Sequence, residues 1–248
     1  MKKMIKILLL VVLVTILISE VSYAQPDSSL LDRLAGNQPE DYVFSLRIVF
    51  LLTILTLAPS ILIMMTSFTR LIIVLSFIRN ALGLQQTPPN QVIIGLALFL
   101  TFFIMAPIGT QINEEAIQPY LREEINQEIA LERALEPIRE FMLKQTRDKD
   151  LGLFLNMKNM DGVSRLEDIP NHVLIPAFII SELKTAFQIG FVIYVPFLVI
   201  DMVVASTLMS MGMMMLPPVI ISLPFKILLF VLVDGWNLIV KSLVLGFK

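Results

Sequence analysis

The stretch Met209-Ser210-Met211-Gly212-Met213-Met214-Met215-Leu216-Pro217-Pro218 decides how the chain is folded. It carries no charge, lies between two long apolar runs, and holds or adjoins six of the fourteen methionines, those from Met202 to Met215. The double proline cannot continue a helix and imposes an extended turn. Gly212 frees the backbone just before the methionine triplet. The stretch therefore predicts a loop, residues 209–218, joining two hydrophobic helices. Methionine is unbranched and polarizable and repacks around whatever it meets. Two readings of the triplet stay open: gap-filling side chains at a helix end, or a deformable seal across a pore.

The surrounding composition is that of a membrane protein. Of 248 residues, 56% are hydrophobic and only 16% charged, with a mean hydropathy of +0.80, where a soluble domain carries about a quarter charged residues. A net charge of -2 gives no reason to expect a nucleic-acid partner. There is no cysteine and a single histidine, His172, so disulfides, thiolate sites and histidine-rich metal sites are excluded within one chain. No phosphate-binding loop, dinucleotide fingerprint or His-Glu-x-x-His motif is present. No catalytic residue, cofactor or metal is expected.

Working outward in chain order, residues 1–24 read as a cleavable signal peptide. Lys2, Lys3 and Lys6 precede a short apolar core, and Ser22-Tyr23-Ala24 supplies a small-residue cleavage site. An uncleaved anchor helix is the alternative. Residues 25–46 form a polar arm. A first hydrophobic helical pair occupies 47–112, with no charge between Arg47 and Arg70 and with Pro59 expected to kink it. The first helix is expected to continue past Arg70 to about Leu84, and Gln85 to Asn90 to form a turn. Residues 113–172 form a small acidic helical insert outside the membrane. Residues 113–171 hold 13 acidic and 8 basic groups of the chain's 40, and Pro137 is expected to divide two helices there. Residues 173–248 form a second hydrophobic helical hairpin around the methionine loop, the earlier arm interrupted at Pro196 and Asp201. Counting basic residues places Arg70 and Arg79 on the cytoplasmic side and the acidic insert outside.

Asp201, Lys226 and Asp234 fall inside the apolar runs of the last hairpin. Charge there is costly and usually faces protein or water. Mutual pairing of the three is the expectation, with snorkelling to an interface the alternative for the lysine. The fold class is thus an all-α membrane protein of about four proline-broken hydrophobic helices.

Two ordered motifs carry a resemblance. Pro176-Ala177-Phe178-Ile179-Ile180-Ser181-Glu182-Leu183-Lys184-Thr185-Ala186-Phe187-Gln188-Ile189-Gly190 and Pro224-Phe225-Lys226-Ile227-Leu228-Leu229-Phe230-Val231-Leu232-Val233-Asp234-Gly235-Trp236 resemble the signatures of the FliP family of flagellar type III export-gate proteins, which has a relative in the injectisome (the SctR family). The Gly-Met-Met-Met-x-Pro-Pro run and the Gln-Thr-Pro-Pro-Asn-Gln turn match as well. The resemblance implies a ring or cone of copies, a pentamer in that family, completed by FliQ-like and FliR-like subunits alongside other membrane proteins of the export apparatus. It further implies passage of unfolded flagellar proteins through the centre, at a basal body in the bacterial inner membrane. Under it Met213, Met214 and Met215 would be the pore gasket, with Gly212 as the loop's hinge and Pro217 and Pro218 as its rigid stop. A small-solute channel or transporter subunit is the alternative of a different class, suggested by charged, proline-broken helices, and a purely structural membrane scaffold is a third.

Overall fold

The computed structural model describes residues 39–84, 86–158, 168–213 and 215–247. Residues 1–24, read from sequence as a signal peptide, residues 25–38 of the expected arm, and Met214 lie outside the described residues. Every regular element among those described is helical.

Residues up to Ala58 and from Pro59 onward form separate units. The first contains most of helix α1, Pro39–Met64, so residues 39–46, read from sequence as arm, are its opening turns. At about 39 Å this helix exceeds the ~30 Å hydrocarbon core of a bilayer. Leu46, Phe50 and Leu55 are exposed along it.

Within the second unit the chain turns at Met65-Thr66-Ser67. The expected continuous helix to Leu84 is therefore two helices, and α2 is Phe68–Ala81. The break has a packing reason: Met65 and Ser67 are both buried, and Met65 joins the core of the acidic insert. Helix α3, Asn90–Ile112, passes through a π-helical segment, Asn113–Ile117, into the short α4, Gln118–Leu121. Then come α5, Gln127–Gln145, and α6, Asp148–Met157. Pro137 does not divide α5. It sits buried inside one helix, where packing outweighs the lost backbone bond. The side chain of Asn126 caps α5 by accepting the Ile129 amide at 2.9 Å.

Helix α7 runs unbroken over Asn171–Ser210, through Pro176, Pro196 and Asp201. Its 40 residues span about 60 Å, roughly twice a hydrocarbon core. Helices α8, Pro218–Leu232, and α9, Gly235–Leu245, replace the single last helix read from sequence. They meet at a 63° bend, where Asp234 takes a left-handed conformation (φ 49°).

Two apolar cores result. Leu71, Val74, Ile78, Ile93, Ala97, Phe197, Phe230 and Leu243 build one, among α2, α3, α7, α8 and α9. Phe141, Met142, Leu151, Leu174 and Phe178 build the other, between the insert and the start of α7. Helix α2 runs alongside α7 in the same direction: Arg70 meets Glu182, and further along Phe77 meets Phe187 edge-on at 5.4 Å. At Gly190 a Cβ would lie 2.6 Å from the Phe77 ring, so only glycine lets the two helices approach this closely.

Candidate functional site

The loop between α7 and α8 is built by its glycine and prolines. The Met213 amide donates to the Leu208 carbonyl, and the Gly212 amide to that of Met209, both at 3.0 Å. With Gly212 at φ +73°, this is the Schellman arrangement that satisfies the last carbonyls of a helix. Gly212 thus ends α7, a local duty its reading as a hinge did not include. The end of α2 repeats the device at Gly83, φ +77°, which lies against Val219 and Leu223 of α8. Pro217 occupies the cap position of α8 and Pro218 its first turn, where a missing amide hydrogen costs nothing. Between these fixed ends Met211 and Met213 are exposed, and Met215 is 98% exposed. The flanks are apolar too, with Met202, Val203 and Met209 on α7 and Val219, Ile220 and Phe225 on α8 open to the surroundings.

Asp201 and Lys226 join the two arms of this hairpin. The Lys226 ammonium donates to Asp201 Oδ2 at 2.6 Å, and the Ser222 hydroxyl donates to Asp201 Oδ1 at 2.5 Å. Asp201 lies nine residues before the end of α7 and Lys226 eight after the start of α8, so the pair is a rung about 13 Å from the loop. Lys226 is only 2% exposed in its side chain and Asp201 25%. Asp234 is not part of this group. It is exposed at the α8–α9 bend and makes no ion pair among the described residues. Beside it a Cβ at Gly235 would lie 2.4 Å from the Phe230 ring, which Trp236 meets edge-on at 5.4 Å.

A buried charged pair of α2 and α7 was not legible as a site. Arg70 is 4% exposed and Glu182 fully buried. The Arg70 guanidinium bonds both carboxylate oxygens of Glu182, Nε to Oε2 at 2.9 Å and Nη2 to Oε1. It also donates to Gln145 Oε1 at 2.9 Å and to the Gly246 carbonyl at 3.0 Å. Gln145 belongs to the insert. A residue bonded to it cannot lie across a ~30 Å hydrocarbon layer from it. The reading of Arg70 as a cytoplasmic charge, opposite an external insert, is therefore corrected, and only Arg79, bonded to Asn90 Oδ1 at 2.5 Å, remains at the far end of α2.

The polar residues around Glu182 have the same purpose. The Ser181 hydroxyl accepts the Arg147 amide at 2.9 Å. Lys184 pairs with the buried Asp150. Arg147 donates to Thr185 at 2.9 Å and to Gln188 at 2.5 Å. Arg139 bonds Asn171 at the start of α7 and the Ile169 carbonyl. The Ser-Glu-Leu-Lys-Thr-Ala-Phe-Gln segment is thus the seat of the insert.

The pattern of FliP family proteins matches residues 51–243, a span that includes the seat, the ion-paired hairpin and the methionine loop. The chain belongs to the FliP family. A flagellar biosynthetic protein FliP of Bacillus subtilis (strain 168) is 62% identical over 213 residues, covering 86% of this chain and 96% of the relative. One from Pectobacterium carotovorum subsp. carotovorum is 55% identical over 211 residues, 85% and 82% of the two chains. One from Aquifex aeolicus (strain VF5) is 57% identical over 208 residues, 83% and 87%. The chain is an all-α membrane protein by its helices: among the described residues three are long and apolar enough to cross a membrane, or four with the bent α8–α9 pair.

Proposed function

We propose that the chain is a pore-forming core subunit of a flagellar type III protein export gate, seated at the basal body in the inner membrane, and that Met213, Met214 and Met215 are its gasket. Family membership supports the flagellar assignment. The observation that carries the gasket is an apolar, uncharged loop held out on two capped helix ends, with Met215 almost wholly exposed. The described residues of one chain leave that surface open. A symmetric homo-oligomer, a pentamer completed by FliQ-like and FliR-like subunits, would bring several such loops together. The cleavable signal and an insert outside the cytoplasm belong to the same reading.

The test places a photo-crosslinking residue at Met215 in cells exporting a flagellar protein fused to a domain too stable to unfold. The stalled chain is expected to crosslink at Met215 and not at Met157 of the insert. Absence of a Met215 adduct, with the complex assembled and the substrate stalled, would overturn the gasket.

A further inference from the structure

The Arg70 cluster lies where the two cores meet. Phe247 is packed against both of them. Its ring stacks on Phe141 of the insert at 6.1 Å and lies 3.8 Å under the Arg70 guanidinium carbon. Its carbonyl accepts from Gln145 Nε2 at 3.5 Å. Arg70 directs four of its five N–H groups to named acceptors on three other segments: two to Glu182 of α7, one to Gln145 of α5, one to Gly246 after α9. Only a planar fork with donors in fixed directions can do this, and a lysine ammonium cannot.

Resting on the gate reading above, we propose that Arg70, Gln145 and Phe247 are positioning residues for the methionine loop, a clamp that fixes the height of α7 against the insert. Helix α7 is continuous from Glu182 to Ser210, a rod of about 42 Å, and the return arm α8–α9 ends in the same clamp at Gly246. Both arms of the hairpin are therefore referenced to one guanidinium. A shift there is carried to the loop, because packed helices move as rods rather than deform. The insert, through Gln145 and Phe141, becomes the part of the chain that can set the gate's closed position.

The experiment measures small-ion conductance per assembled complex in cells expressing Gln145→Ala, Phe247→Ala, Phe247→Tyr and the triple Met213, Met214, Met215→Ala variant, with assembled complex quantified from the same membranes. Gln145 and Phe247 are chosen because the buried Arg70–Glu182 pair survives their loss. The expected result is a leak raised at least threefold per complex for Gln145→Ala and Phe247→Ala, with Phe247→Tyr, which keeps the ring, at the wild-type level. Wild-type tightness per complex in both alanine variants overturns the clamp, whether the amount of complex is normal or reduced, since a merely structural role lowers amount and not tightness. The triple methionine variant separates the two readings. If it leaks and the clamp variants do not, only the clamp fails; if it stays tight, the gasket itself is wrong.

Discussion

The two ends of α7 solve opposite problems. Near its start, the segment from Ser181 to Gln188 is polar and almost entirely satisfied inside one chain: Glu182 by Arg70, Lys184 by Asp150, Thr185 and Gln188 by Arg147. At its other end Met209, Met211, Met213 and Met215 are exposed among the described residues. Buried polar groups must be bonded wherever they are, so that end is largely completed within the chain, with Asp150 Oδ2 still without a partner among the described residues. Exposed apolar surface of this extent signals a partner or a membrane. One helix thus carries an end finished by its own fold and an end left for a partner or a membrane to cover.

Breaking the finished end is expected to have the largest effect. Glu182→Ala leaves the Arg70 charge buried and unpaired, a loss of about 3–5 kcal/mol. Complex should be almost absent from detergent extracts. Replacing both partners, Arg70→Met with Glu182→Leu, should recover part of the yield, since an apolar pair can stand in for a buried ion pair. Recovery stays incomplete because Gln145 and the Gly246 carbonyl lose their donor. A full yield in Glu182→Ala would mean that the pair is not what holds this end.

The rung nearer the loop should be weaker and asymmetric. Asp201→Ala strands an ammonium that is 2% exposed, at about 3 kcal/mol. Lys226→Met leaves a carboxylate that is 25% exposed and still accepts from Ser222, at roughly 1–2 kcal/mol. Thermal aggregation midpoints of the purified complexes should rank wild type above Lys226→Met above Asp201→Ala. The reverse order would show that another copy or subunit covers Asp201.

Much of this contrast was readable beforehand, and the unreadable part has a common cause. The helical hairpin around Met209 to Pro218 follows from local rules: a glycine stop, a double proline and apolar runs on both sides. Arg70 reads as a cytoplasmic charge because its partner lies 112 residues away, and nothing local distinguishes a paired arginine from a solvated one. Asp234 looked like a third member of the interior group because spacing gives no warning of a left-handed residue and a 63° bend. Pro137 misled in the other direction, since propensity predicts a break that burial in the insert core prevents.

Glycines at the two bends offer a smaller and sharper comparison. Gly235→Ala would drive a methyl group into the Phe230 ring, an overpacking of about 1–3 kcal/mol. Gly212→Ala meets nothing within 4 Å, so only its positive φ is penalised, by about 1 kcal/mol. The first should be relieved by adding Phe230→Leu, and the second by nothing nearby. Unfolding midpoints of the two alanine variants and the Gly235→Ala, Phe230→Leu double variant decide this. Equal losses without rescue would show that backbone conformation, not crowding, governs both bends.

The smallest effect on stability is expected at the methionines, and it carries the most weight for function. Replacing Met213, Met214 and Met215 by Ala removes no contact that Met215 makes within the chain, since that side chain is almost wholly exposed. The amount of complex should stay within about twofold of wild type. The leak should rise, because alanine rings cannot span the gap that flexible thioethers fill. Three leucines sharpen the argument: they match methionine in bulk and apolarity but are branched and stiffer. If the seal needs only apolar volume, the leucine variant is as tight as wild type and exports as fast. If it must also reshape around each passing segment, the leucine variant is tight at rest but slow in export, and phenylalanine is slower still. Conductance and secreted flagellar protein measured in the same cells separate these outcomes. An alanine variant that assembles and stays tight would return the methionines to the role of packing residues.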